Sequence, residues 1–83
     1  MKKVQWEKIA LKDVKPLSDK IRKQIVEAVE RYAEHGTGDI RPVHERPGEY
    51  ALRSGDWRIF YLEQGDTLYV LRVRNRKEAY RFL

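Results

Sequence analysis

The sequence predicts an α+β fold in a single small domain spanning residues 1–83: a strand, two helices and a three-stranded antiparallel meander. Three observations indicate this. Two short turns, at residues 54–56 and 64–66, separate three runs that are rich in aromatic and β-branched residues. Apolar residues recur at helical spacing between Asp19 and His35. The 83-residue chain contains no internal repeat or low-complexity segment that would indicate a second domain.

The first strand is predicted at Lys3–Ile9, where Val4 and Trp6 face one side and polar residues face the other. Trp6 is expected in the core, because a short chain needs the volume of an indole there. Apolar residues spaced by three then predict a short helix at Ala10–Lys15. Pro16 should end or kink this helix, because proline disfavours helical geometry in the residue before it.

A longer helix is predicted at Asp19–His35. Ser18 is expected to cap its first turn through the side-chain oxygen, and Gly36 suits the left-handed position that often follows a helix. One apolar stripe faces the core, made of Ile21, Ile25, Val26, Val29, Tyr32 and Ala33. The helix should therefore pack on the sheet along this stripe.

A turn at residues 36–39 and a loop at Ile40–Gly48 are predicted next, because two prolines interrupt any period there; Val43 is expected beneath the loop. The meander strands follow at Glu49–Arg53, Trp57–Glu63 and Thr67–Asn75. The continuous apolar run that begins the last strand is typical of a central strand covered on both faces.

Loop length decides which arginines share a face, since side chains alternate along a strand. A three-residue loop at residues 64–66 would pair Glu63 with Thr67 and place Arg58 on the face of Arg72. A two-residue loop would place Arg58 on the opposite face. The periodicity is compatible with both.

Composition excludes several classes of protein. The chain has no cysteine, so disulfides and thiolate metal sites are excluded. The two histidines lack metal-ligand spacing, and no cofactor or metal is expected. We expect a soluble cytoplasmic protein that does not bind membranes, because the sequence contains neither a signal-like apolar segment at its start nor a membrane-spanning run.

The net charge of +5 favours an anionic partner. Five of the ten residues from Arg72 to Arg81 are basic, so the charge is concentrated near the end of the chain. Arginine suits phosphate because its planar fork binds two oxygens and stays charged. Pairing with acidic neighbours on a solvated face is the alternative, although exposed pairs contribute only about 0–1 kcal/mol each.

The chain resembles the RelE/ParE toxin superfamily over nearly its whole length. The most specific motifs are Leu52-Arg53-x-Gly55-Asp56-Trp57-Arg58 and the later Arg76-x-x-x-Tyr80. The resemblance implies the same order of strands and helices as predicted above. In the ribonuclease branch of this superfamily, the sheet forms a concave basic face. The resemblance thus implies that Arg58 and Arg76 meet on that face, which favours the three-residue loop.

Relatives in this branch cut mRNA in the ribosomal A site, where the 2′-hydroxyl attacks the adjacent phosphate. The resemblance implies that Arg58 and Arg76 stabilise the phosphate and that Tyr80 stacks on or orients a nucleotide. The remaining basic residues of the face are candidates for RNA binding: Arg53, Arg72, Arg74, Lys77 and Arg81.

The proton-transfer groups of known relatives are incomplete in this chain. Some relatives carry two lysines where this chain has Glu49 and Ala51. Others use a carboxylate and a late histidine, whose places are taken by Arg41 and Asn75. Glu49 and His44 are the remaining candidates for base or acid.

Three functions fit the resemblance: an mRNA-cleaving toxin acting on the ribosome, a gyrase-inhibiting toxin of the ParE kind, and a member that has lost catalysis. The retained arginines and Tyr80 favour the first. Each implies a cognate antitoxin protein as partner, and acidic antitoxins would suit the positive charge.

Overall fold

The computed structural model of the chain describes residues 1–78, which form two helices and one five-stranded sheet. The helices are α1 (Lys8–Val14) and α2 (Asp19–His35). The strands are β1 (Lys3–Trp6), β2 (Asp39–Pro42), β3 (Glu49–Ser54), β4 (Trp57–Gln64) and β5 (Thr67–Asn75). The predicted α+β class and its antiparallel meander, β3 to β5, are confirmed.

The sheet extends beyond the meander on both sides, in the order β1-β5-β4-β3-β2. β1 pairs with β5 in parallel, and β2 pairs with β3 antiparallel, from Asp39 opposite Arg53 to Pro42 opposite Tyr50. The prediction of a turn and loop over residues 36–48 was therefore wrong for β2. Pro42 is compatible with this strand because β2 is at the edge of the sheet. Proline lacks a backbone N–H, and an edge strand has one side on which no neighbouring strand needs that hydrogen bond.

The first strand is shorter than predicted and ends at Trp6, and α1 begins at Lys8 rather than Ala10. Glu7 makes the junction: its backbone is extended, and its N–H donates to the Val70 carbonyl at 3.0 Å. Ile9, assigned by the sequence to the strand, lies on α1 and is 46% exposed. The prediction extended the strand too far: Glu7 and Lys8 are both charged, and Ile9 is out of phase with Val4 and Trp6, so the alternation already ends at Trp6.

The predicted bounds and caps of α2 are confirmed. The Ser18 hydroxyl oxygen accepts a hydrogen bond from the Ile21 N–H at 3.2 Å. Gly36 has φ +71° and donates its N–H to the Tyr32 carbonyl at 2.8 Å. None of the helices within residues 1–78 is long and apolar enough to span a membrane.

Both helices pack on one face of the sheet and bury the main core there. Its sheet residues are Leu52, Ile59, Tyr61, Leu68, Val70 and Val73. We call the other side the open face; alternation places on it Ala51, Arg53, Arg58, Phe60, Arg72 and Arg74. A small cluster of Val43, Ala51 and Phe60 is buried on the open face beneath the loop after β2, as predicted for Val43.

β5 lies between β1 and β4, as expected of a central strand, but it is not covered on both faces. Leu68 and Val70 are buried, whereas Tyr69 and Leu71 are only half-buried. The helices cover only one side of the sheet. The apolar residues at the start of β5 therefore include some that pack against the helices and others that are only partly shielded from solvent on the open face.

Gly38 gives a first prediction for the stability of the β2 edge. Its φ is +156°, and a Cβ there would lie 2.6 Å from Cδ1 of Leu52, a core side chain. Gly38→Ala should lower the free energy of unfolding by about 2–3 kcal/mol, since backbone strain adds to overpacking. Gly48→Ala is the control, because Gly48 has φ +88° but its Cβ would meet nothing within 4 Å. Equal losses in urea denaturation would contradict the packing account.

Tyr61 predicts how stability depends on alkaline pH. Burial, followed by its hydrogen bond with Tyr32, raises the pKa of the Tyr61 phenol. Tyr32 in turn donates its hydroxyl to Oε1 of Glu63 at 2.6 Å. Above about pH 10, the unfolded chain loses a phenolic proton that the native state retains, so stability falls by up to about 1.4 kcal/mol per pH unit.

Tyr61→Phe keeps the ring and removes the ionisation. The urea-derived free energy of unfolding of this variant should fall less steeply between about pH 10 and pH 11 than that of the unaltered protein. The other titratable groups are common to both proteins, so the difference between their slopes reports the Tyr61 phenol together with its coupling to Tyr32, whose pKa is also raised, chiefly by burial. Parallel slopes would show that Tyr61 ionises as readily in the native state as in the unfolded chain.

Candidate functional site

A row of charged side chains crosses the open face of the sheet. One residue from each of four neighbouring strands takes part, and each is paired with the next. In order across the sheet they are Asp39 on β2, Arg53 on β3, Arg58 on β4 and Arg74 on β5. We call these four residues the charged row. Like charges in directly opposed positions destabilise a sheet, so three adjacent arginines are not explained by stability. Such an arrangement is suited to binding an anion.

The register that builds the charged row has a different origin from the one predicted. The β4–β5 turn has two residues, Gly65 and Asp66, because Gln64 pairs with Thr67; the three-residue loop was wrong. Tyr61 pairs with Val70 but Phe60 pairs with Arg72, so a β-bulge at Leu71 inserts one extra residue. The bulge shifts the pairing by one residue, as a three-residue loop would have done, and returns Arg58 to the face of Arg72.

Arg58 is held at the turn between β3 and β4. Its Nη1 donates to the carbonyls of Gly55 at 3.0 Å and Trp57 at 3.1 Å. These bonds use one of the three guanidinium nitrogens and fix the plane of the group. The side chain is half-buried, so its charge lies in a partly desolvated setting where it interacts more strongly with a ligand than in water.

Arg76 lies at the same turn. Its N–H donates to the carbonyl of Asp56 at 2.6 Å, just after β5 ends, and its side chain is exposed. The structure therefore brings Arg76 to the turn that holds Arg58. The next residue, Lys77, is also exposed and donates its N–H to Oδ1 of Asn75 at 3.1 Å. Tyr80 and Arg81 lie outside the described residues.

Arg72 makes a structural contact. Its Nε and Nη2 donate to the two carboxylate oxygens of Asp13 on α1 at 2.9 and 3.2 Å. Oδ2 of Asp13 also accepts from the Val73 N–H at 2.9 Å. This bidentate pair favours a role in joining α1 to β5 over the RNA contact predicted for Arg72. Arg74 is half-buried directly opposite Arg58.

The two candidates for proton transfer lie away from the charged row. Glu49 shares the open face but stands four residues from Arg53 along β3, or about 13 Å. Its carboxylate is 4.0 Å from Nη1 of Arg46. His44 is exposed on the loop after β2, beside Arg41, Pro42 and Glu45. Neither position puts a proton acceptor beside Arg58.

Sequence reasoning missed Asp39, which the prediction placed in a turn. Together with Arg41, Ala51, Arg53 and Arg58 it lines a pocket of about 230 Å³ on the open face. The available signal was the alternation of Asp39, Ile40 and Arg41, in which only Ile40 packs against the core. Pro42 concealed it, because proline argued against a strand. Within residues 1–78, the acidic and histidine side chains form no cluster able to hold a metal ion.

The comparisons with known proteins agree with this architecture. The family described as ParE toxin of type II toxin–antitoxin system, parDE, matches residues 4–80 of the chain. No match was found among curated proteins. Among solved structures, a chain of the RelB–RelE antitoxin–toxin complex from Methanococcus jannaschii has a TM-score of 0.77 and 28% identity, covering 95% of this chain and 98% of that chain.

Two further structures are similar. The toxin–antitoxin complex RelBE2 from Mycobacterium tuberculosis matches with a TM-score of 0.76 and 25% identity, covering 90% of this chain and 91% of that one. The chromosomal ParDE system from P. aeruginosa matches with a TM-score of 0.75 and 21% identity over 90% and 96%, which supports the fold alone. The chain thus belongs to the ParE toxin family of type II toxin–antitoxin systems, within the RelE/ParE toxin superfamily.

Proposed function

We propose that the protein is an endoribonuclease toxin that cleaves mRNA, in the ribosomal A site, by attack of the 2′-hydroxyl on the adjacent phosphate. The observation that carries the proposal is the placement of Arg53, Arg58 and Arg74 side by side on the open face, with Arg76 at the adjoining turn. Phosphoryl transfer of this kind builds charge on the phosphate oxygens, and preorganised guanidinium groups stabilise it.

Gyrase inhibition is the second candidate, because the matching family is named for ParE toxins. Inhibition of a protein target by binding requires surface complementarity but no phosphate-stabilising group within the toxin. It therefore does not require a guanidinium fixed in place, as that of Arg58 is by the carbonyls of Gly55 and Trp57. The charged row favours the ribonuclease.

The cognate partner proposed for the protein is an antitoxin, since its structural neighbours are toxin–antitoxin complexes. A partner with an acidic toxin-binding segment would complement the net charge of +5 and cover the open face. Such binding would block RNA from the charged row. Addition of that antitoxin should thus abolish whichever activity the toxin has.

The two functions are separated by assaying the purified protein in parallel. One assay incubates it with programmed 70S ribosomes and maps cuts in the mRNA by primer extension. The other measures supercoiling of relaxed plasmid by DNA gyrase. We expect mRNA cuts with a cyclic phosphate end and unaffected supercoiling. Loss of supercoiling with intact mRNA would overturn the ribonuclease proposal, and inactivity in both assays would indicate a member without catalysis.

A further inference from the structure

Asp39 is the acidic member of an otherwise basic pocket. It begins the charged row, and the pocket it lines contains Arg41, Arg53 and Arg58. Its Oδ1 lies 3.6 Å from Nε of Arg41 and its Oδ2 lies 3.9 Å from Nη1 of Arg53. Both separations exceed hydrogen-bond length, so these ion pairs leave the acceptor lone pairs of the carboxylate unused.

The position of Asp39 matches what a proton acceptor would require. Strands in a sheet are spaced by about 4.8 Å, which places Asp39 two strands, or about 10 Å, from Arg58. Arg53 lies between them. A phosphate held by Arg53 and Arg58 would therefore have the ribose of one neighbouring nucleotide on the Asp39 side. The carboxylate is 48% exposed and accessible to it.

We propose that Asp39 is the general base that accepts the 2′-hydroxyl proton in the cleavage reaction. The inference rests on the proposed ribonuclease function and supplies the base that Glu49 and His44 are too distant to provide. Carboxylates act as general bases when they come within hydrogen-bond reach of the proton to be removed.

The proposed step balances in atoms and charge. The 2′-hydroxyl proton passes to the Asp39 carboxylate while the 2′-oxygen forms a bond to phosphorus. The bond between phosphorus and the 5′-oxygen breaks, giving a 2′,3′-cyclic phosphate, and the departing 5′-oxygen takes a proton from water. Asp39 then returns its proton to solvent. Arg53 and Arg58 stabilise the charge on the non-bridging oxygens during the transfer.

The competing role for Asp39 is to neutralise part of the charged row. The two roles predict opposite effects of Asp39→Asn, which keeps the size of the side chain and removes its charge. A neutralising carboxylate weakens RNA binding, so its removal would tighten binding and leave cleavage equal or faster. Removal of a general base would slow cleavage by about 100-fold or more without weakening binding.

The experiment measures single-turnover cleavage of ribosome-bound mRNA, and separately measures binding of an mRNA with a 2′-deoxy nucleotide at the cleavage position. Glu45→Gln is the matched control, since it makes the same charge change on the exposed loop after β2. We expect Asp39→Asn to cleave about 100-fold more slowly with unchanged or tighter binding, Asp39→Glu to retain part of the rate, and Glu45→Gln to be unaffected. Circular dichroism confirms that each variant is folded.

The possible failures are distinguishable. If the unaltered protein cleaves mRNA and Asp39→Asn cleaves as fast as Glu45→Gln, the assignment of Asp39 is overturned while the ribonuclease function stands. If the unaltered protein does not cleave any mRNA, the ribonuclease function is overturned and the role of Asp39 with it. Slower cleavage by both variants alike would also overturn the assignment, because it would show a general effect of charge.

Discussion

Arg58→Ala is expected to lower the rate of mRNA cleavage by about 100- to 1,000-fold, the usual loss when one preorganised charge donor is removed from a transition state. The guanidinium is fixed by the Gly55 and Trp57 carbonyls and points its charge into a half-buried setting. The group therefore needs little movement to stabilise the charge that develops on the phosphate. The loss should fall mainly on the cleavage rate and less on binding of uncleaved RNA.

The matched control is Arg31→Ala, which removes one positive charge from the exposed surface of α2, on the other side of the sheet. Salt-dependent binding through net charge would fall equally in both variants. Arg58→Lys separates charge from geometry: it keeps the positive charge but lacks the planar fork, and we expect an intermediate rate. Equal cleavage by Arg58→Ala and Arg31→Ala would contradict a specific role for Arg58.

Arg76 is expected to act together with Arg58. Because its backbone is hydrogen-bonded at the turn beside Arg58, both side chains are expected to act on one phosphate. Groups that act as a unit give non-additive losses. The double variant Arg58→Ala/Arg76→Ala should then be only slightly slower than the more impaired single variant. Fully additive losses would show that the two arginines act independently.

The prediction that Arg58 and Arg72 share a face is correct, but the three-residue loop from which it was argued is not. Alternation and the turn residues located β4 and β5 within one residue. The relative register was not predictable, because a single extra residue moves a whole strand face and can lie in the turn or within the strand. Here it lies at Leu71, where nothing in the residue type distinguishes a bulge from regular pairing.

The β2 edge was missed for a related reason. Edge strands are short and tolerate proline, so their periodic signal is weak. Since Asp39 projects from this strand, the acidic group of the pocket was missed with it. Glu49 and His44 were identified by chemical type, but their distance from Arg58 depends on pairing across strands, which the sequence leaves undetermined.

Asp13 illustrates the contacts that sequence reasoning cannot reach, because its partner Arg72 is 59 positions away. Asp13→Ala should lower the free energy of unfolding by about 2–4 kcal/mol, somewhat less than the typical loss for a fully buried ion pair, because this pair is partly buried. The two side chains are 11% and 20% exposed, so both are mostly out of water. The change also leaves the Val73 N–H without its acceptor.

The site of this ion pair explains why the loss should be large. β1 pairs with β5 only as far as Val70. At Val73, β5 is therefore paired with β4 on one side, and within residues 1–78 no strand pairs with it on the other side. Asp13 takes the place of a strand carbonyl and fixes the short helix α1 against that edge. A seven-residue helix is too short to be stable alone, so its position depends on such contacts.

Urea denaturation of Asp13→Ala and three comparison variants tests this account. Asp13→Asn keeps one oxygen acceptor and should lose about 1–3 kcal/mol. Asp19→Ala removes an exposed carboxylate that pairs with Arg22 and should change stability by no more than about 1 kcal/mol. Asp13→Ala combined with Arg72→Met should recover part of the lost free energy of unfolding, because the double variant no longer contains the unpaired charge of Arg72. If Asp13→Ala were no more destabilising than Asp19→Ala, the pair would be a surface contact, and Arg72 would again be available to bind RNA.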